Sequence, residues 1–242
     1  ATGTTFSDAA IGQAMVNGEV DLYSGSATST FYSTVSSASN ITINTGSVAT
    51  YEHLDLRSGP ALVQNGFNNA YCTGKSTYDG PWAGSSQKSK DLRKAFMLTV
   101  PRQVIANTYI GKVFNPAFTG NSPVLNSLFS LTTEGDYAKV VAGSSAYNSD
   151  FINKDQDARN ALALALVQKY YPSAGPGSNS ITVKYLASTA ARRVDIRTQI
   201  QLQAAKVGFN VVPTHTSSWP NYLNCNDYDV YDFAWSKSAI SQ

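Results

Sequence analysis

The chain has 242 residues, a formal net charge of +2 and only 14% charged side chains, against about 25% in an average soluble domain. That length can bury a sizeable core. The near-neutral charge gives no reason to expect nucleic acid or an anionic membrane as partner, and no run of about 18 apolar residues exists to span a bilayer. Ser, Thr, Asn, Gly and Tyr take the place of the missing charges, which points to an extracytoplasmic setting.

In chain order, Ser7 can cap a helix running to about Val16, with Asp8 favourable in its first turn. Ala10, Ile11, Ala14 and Met15 form its apolar face, and Gly18 ends it. Residues 20–24 read as a strand. The Ser/Thr-rich stretch 24–39 permits a short helix around Phe31, Tyr32 and Val35. Residues 41–44 and 51–57 alternate as strands do. Residues 59–89 form a long irregular stretch holding Cys72, Trp82 and several glycines, and loops of that length are usually functional.

Two helices are expected next, over 88–100 and 102–110, with Pro101 at the joint. A helix over 155–170 has Ala158, Ala161, Leu162, Ala165 and Leu166 on one face. The last quarter then reads strand (181–187), helix (192–206, closed by Gly208), strand (209–213), short helix (219–223) and strand (227–235). Parallel strands joined by helices bring their carboxyl ends to one edge, where ligands bind. No repeat and no clear linker appears, so residues 1–242 are expected to form a single α/β domain with a mainly parallel or mixed sheet flanked by helices.

This last block carries Lys206, Gly208, Phe209, Val211, Trp219, Tyr222, Leu223, Tyr228, Asp229, Val230 and Trp235 in the order K-x-G-I/F-x-V, W-x-x-Y-L and Y-D-V/A-x-x-x-x-W. Upstream, Leu92, Arg93, Ala95, Phe96, Arg102 and Ile105 fit V-R-x-A-L/F-x-x-A-I/V-D-R-x-x-I, with Pro101 where the pattern has aspartate. Gly18, Glu19, Val20 and Asp21 fit G-E-V/L-D. In this order the segments resemble the bacterial extracellular solute-binding proteins of family 5, the peptide, dipeptide and nickel receptors of ATP-binding cassette importers.

The resemblance implies a periplasmic-binding-protein-like fold with two lobes joined by two crossings of the chain. Residues 1–242 would then be the second lobe, cut just outside both crossings, holding half of an interlobe cleft. Ala1, which is not a methionine, suggests a processed or truncated start. The implied partners are a short peptide or other small solute, the first lobe of the same protein and a membrane permease. The implied location is extracytoplasmic, as a cell-surface lipoprotein or a periplasmic protein.

Parallel neighbours over 20–24, 51–57, 181–187 and 227–235 would bring together Ser24 to Ser26, Arg57 and Ser58, the loop from Ala187 to Arg192, and Trp235 to Ser238. By resemblance, Trp235 lines the cleft, and Ser236 and Ser238 offer hydrogen bonds. Many peptide-binding relatives have an aspartate at the position of Ser238, where it pairs with the peptide amino terminus. A serine brings no charge to offset desolvation of an ammonium. Ser188 and Thr189 belong to the loop after the first strand of the block. Arg192 and Arg193 can reach a ligand carboxylate bidentately, or be a solvated helix start.

Trp235 is alternatively a core residue at a strand end. Arg93 and Arg102 are expected to pin helices to carboxylates or carbonyls, and Trp219 and Tyr222 to pack a short helix on the sheet.

Enzyme readings find little support. The only histidines are His53 and His215, and neither accompanies a G-x-S-x-G elbow. Cys72, Cys225, His53 and His215 have the right types for zinc but no local ligand spacing, so neither a metal nor a cofactor is expected. The two cysteines form either a long-range disulfide or two separate buried thiols. Glu134 and Asp136 sit in polar sequence. The rival readings are a secreted hydrolase using a carboxylate pair and a cell-surface interaction module.

Overall fold

The structure is a computed structural model, described over residues 7–23, 29–44, 50–59, 78–110, 148–223 and 227–236. Its elements in chain order are α1 (Asp8–Val16), α2 (Ser29–Val35), β1 (Thr50–Leu56), α3 (Gln87–Thr99) and α4 (Arg102–Ile105), which continues as a π-helical turn, Ala106–Ile110. A second π-helical turn, Asn148–Ile152, precedes α5 (Gln156–Gln168), β2 (Ile181–Ala187), α6 (Ala191–Ala205), β3 (Phe209–His215), α7 (Trp219–Leu223) and β4 (Val230–Ser236). Among the described residues, no helix is long and apolar enough to cross a membrane.

The chain divides into two compact units, Ala1–Val48 with Arg102–Val124, and Ala49–Pro101 with Leu125–Gln242. In the first, Ser7 caps α1 by accepting from the amide of Ala10. Gly12 is buried there against α2, where an added Cβ would lie 3.2 Å from Thr34. The stretch 20–23, expected to begin a strand, has no strand pairing, nor does 41–44. Each is too short to hold an extended form without a neighbouring ladder.

The second unit is built on a four-stranded sheet in the order β1-β4-β2-β3. β2 pairs in parallel with β3 and with β4, whereas β1 pairs antiparallel with β4, Tyr51 opposite Trp235 and Leu56 opposite Val230. The sheet is mixed, as expected, but 51–57 is not a parallel neighbour of the later strands, which corrects the site grouping that assumed it. Arg57 and Ser58 follow the end of β1 beside Val230, at the opposite end of the sheet from the carboxyl ends of β2, β3 and β4. Alternation has a period of two but no direction, so it predicts a strand without its sense.

α6 packs on β2 and β3, and α3 packs on α5 and α6. The core beneath holds Trp82, Phe96 and Phe209, all essentially unexposed, with ring centroids 5.3 to 6.5 Å apart. Burying side chains of this size supplies about 1.5–3 kcal/mol each. Gly208, at φ +98°, turns the chain from α6 into β3, and a Cβ there would sit 2.8 Å from Ser178 Oγ.

α5 is capped by Asp155, which accepts from the amide of Ala158. Its buried face is not the predicted one: Ala161 and Ala165 are exposed, while Arg159, Asn160, Ala163 and Val167 are buried. Hydrogen bonds allow polar groups to lie inside. Arg159 donates to the carbonyl oxygens of Phe151 and Lys154, and Asn160 donates to Gln203 Oε1 on α6. Apolar periodicity is blind to that.

Candidate functional site

The carboxyl ends of β2, β3 and β4 lie on one edge of the second unit. β4 pairs with β2 only from Val230 to Asp232. Its last residues therefore run on past the end of β2, flanked by the first residues of β1. Trp235 stands on this overhang and is 55% exposed, its ring meeting Phe233 edge-on at 5.3 Å. That exposure removes the core alternative for Trp235. Beneath it, Phe233 stacks on Tyr231 at 5.3 Å, and Trp219 of α7 packs on both. Trp219 thus fastens α7 to the sheet, as expected. The backbone of Ser236 pairs in register with Thr50, while Ser238 lies outside the described residues, as do Ser24 to Ser26, Glu134, Asp136, Cys72 and Cys225.

The loop after β2 is held from three sides. Arg193 Nη1 donates to Ser188 Oγ at 2.9 Å, and His215 Nδ1 lies 2.9 Å from the Ser188 carbonyl oxygen. The amide of Thr216 donates to the Ala187 carbonyl at 3.0 Å. Thr189 is exposed at the tip, and α6 starts directly behind it with no side-chain cap.

Two arginines in the first turn of a helix oppose its dipole. Glu52, reaching over from β1, bonds both with its single negative charge, meeting Arg192 Nη2 at 2.9 Å and Arg193 Nε at 2.7 Å. Arg193 is buried, with its guanidinium 5.4 Å from the centre of the Phe233 ring. Arg192 stays partly exposed, with 28% of its side-chain surface open. So Arg193 serves the fold, and Arg192 is the one of the pair with an outward face.

Asp232 completes the cluster, its side chain entirely enclosed and its Oδ2 accepting from Tyr185 Oη at 2.8 Å. Burial, and then the charge of Glu52, push its carboxyl well above the usual carboxylate range. Glu52 goes the other way: burial opposes its ionisation, but the Arg193 hydrogen bond, with Asp232 and Arg192, holds it below its ordinary value.

Glu52 and Asp232 were not singled out from sequence. A signal was present, since each shares the parity of its strand with apolar residues, Glu52 with Leu54 and Leu56, Asp232 with Val230 and Ala234. A carboxylate at such a position needs a partner.

At the other end of the strands lies a groove of about 340 Å³, lined in part by Tyr78, Lys184, Asp227 and Asp229. Its buried Asp229 is engaged internally by Tyr78 Oη and the Lys184 amide, both at 2.6 Å. Arg93 binds the carbonyl oxygens of Trp82 and Gly84, the expected pinning role. Among the described residues no group of three His, Cys, Asp or Glu side chains is placed to hold a metal ion.

No protein-family model and no curated protein matches the sequence. The fold is similar to solved structures of peptide-binding proteins. With the Escherichia coli murein tripeptide binding protein MppA the TM-score is 0.57 at 15% identity, over 94% of this chain and 36% of that one. With lactococcal OppA, complexed with an endogenous peptide in the closed conformation, it is 0.58 at 15% identity, over 96% and 40%. With a putative peptide binding protein, AppA, from Clostridium difficile it is 0.53 at 18% identity, over 95% and 38%. At these identities the likeness is one of fold, the periplasmic-binding-protein-like lobe. The chain spans about two fifths of the length of each of these proteins.

Proposed function

We propose that this chain is one lobe of a two-lobed solute-binding protein serving an ATP-binding cassette importer, and that it takes a short peptide or related small solute between its lobes. The observation that carries this reading is the overhang of β4, where a half-exposed tryptophan stands at the carboxyl ends of parallel strands, in a fold similar to proteins solved in complex with a peptide. Trp235 offers an apolar plate to a solute. Ser188, Thr189, Ser236 and Ser238 offer hydrogen bonds around it, and Arg192 offers a guanidinium. The first lobe would supply the other wall, and closure about the two crossings would exclude water and present the loaded protein to its permease. The work is capture and delivery outside the cytoplasm, with no catalysis.

The test is native purification of the protein that carries this sequence, followed by mass spectrometry of co-purifying small molecules. Short peptides of mixed sequence support the reading. One defined species, such as a sugar or a metal chelate, replaces the ligand but keeps the receptor. An empty protein whose scattering profile is unchanged by any added solute would sink it.

A further inference from the structure

Two guanidinium groups and two carboxyl groups meet where β1, β4 and α6 converge. Glu52 bonds both arginines and leaves Asp232 without a cation of its own. The nearest approach is Arg193 Nε to Asp232 Oδ1 at 3.9 Å, and that N–H is already directed at Glu52 Oε1, 2.7 Å away. Asp232 Oδ1 is buried and accepts no hydrogen bond. An ionised oxygen in that position bears the full cost of desolvation, whereas a protonated one becomes a donor. Glu52 is the neighbouring acceptor, since both carboxyl groups approach the same Arg193 N–H, Glu52 Oε1 at 2.7 Å and Asp232 Oδ1 at 3.9 Å.

We propose that Asp232 and Glu52 share one proton, and that this leaves an uncompensated positive charge at Arg192 which selects a solute bearing an anionic group, a carboxylate above all. The inference rests on the receptor reading above and names its ligand chemistry. Arg192 and Arg193 carry two positive charges, and a carboxyl pair with one proton carries one negative charge. The cluster is then cationic by one unit, and loss of the shared proton to solvent makes it neutral.

The groups facing the pair are consistent with this count. Tyr185 of β2 and Tyr231 of β4 are both pushed up by burial and stay neutral. Ser188 is uncharged, and His215 of β3 lies behind the Tyr185 ring, 6.3 Å away between centroids. Arg192 engages Glu52 through Nη2 and its Nε is buried without a partner, while 28% of its side-chain surface stays open to an oxyanion.

Two measurements on the two-lobed protein that carries this sequence test this. The first needs no solute: carboxyl carbon-13 resonances are followed from pH 4 to pH 10 in the wild type and in Asp232→Asn. One carboxyl is expected to titrate far above the others, and its transition disappears in the variant. If every Asp and Glu titrates in the ordinary carboxylate range, the shared proton is overturned.

The second follows tryptophan fluorescence with trialanine and with its C-terminal amide as probes. Trialanine is expected to bind roughly tenfold more tightly than the amide at low pH and to lose that margin as the high-titrating carboxyl ionises. Asp232→Asn, which mimics the protonated acid, is expected to keep the margin at all pH values. Equal binding of the two probes overturns the anion selectivity, and an identical pH dependence in the variant overturns the role of Asp232. If neither probe binds, the receptor reading itself fails for this solute class, while the carbon-13 titration still decides the proton.

Discussion

Asp232 and Asp91 are both carboxylates inside the second unit, yet their protons are held in opposite senses. Asp232 has one neutral donor, Tyr185, and an acidic neighbour, and burial raises its pKa. At Asp91 burial also acts upward, but hydrogen bonds from Gln87, Tyr170 and Lys169 outweigh it and hold the group low. The consequences for stability have opposite sign. Above the ordinary carboxylate pKa the unfolded chain loses the proton that native Asp232 keeps, so stability falls as pH rises through the interval up to the folded value. Asp91 contributes stability above its unfolded pKa, and that contribution is lost as pH falls through its lower folded pKa. Thermal melts should therefore show Tm declining from pH 5 to pH 8, and Asp232→Asn should flatten that slope and raise stability at pH 8 by about 1 kcal/mol or more. A decline as steep in the variant as in the wild type would assign the slope to another group, such as Asp229, which burial also raises.

Among the elements, β1 has the largest consequence for the site. Running antiparallel to β4, it places Glu52 opposite Ala234, near the overhang and the first turn of α6. A parallel β1 would have brought Arg57 there instead, adding a cation to two arginines already at a positive helix end. Glu52→Ala leaves Arg193 buried without its carboxylate and frees the loop at Ser188. Urea titration should show a loss of about 3 kcal/mol. Glu52→Asp, which keeps the charge on a shorter arm, should recover part of it. A loss under about 1 kcal/mol for the alanine variant would mean that Asp232 takes over the guanidinium once Glu52 is gone.

For the whole molecule, the separation of stability from binding is decisive. Trp235 is more than half exposed, whereas Trp82 has no exposed surface. Trp235→Ala should change the unfolding free energy by less than about 0.5 kcal/mol while lowering the amount of co-purified solute several-fold. Trp82→Ala should cost about 3–5 kcal/mol. Equal solute content in the wild type and in Trp235→Ala would move the solute away from the β4 overhang.

The residue pattern by itself determined the elements with strong local causes. Ser7 and Asp155 announce their helices because a side-chain oxygen next to a helix start satisfies free amides. Residues 181 to 235 read correctly as alternating strands and helices because connections there are short and β2, β3 and β4 are parallel. Trp235, Ser188, Thr189 and Arg192 were placed at one edge for the same reason. The tertiary structure alone decided what depends on distant partners: the sense of β1, the polar buried face of α5, and the recruitment of Glu52 and Asp232 across more than a hundred residues of chain. Strand direction and the pairing of buried charges are set by which neighbour an element meets, and periodicity carries no record of that neighbour.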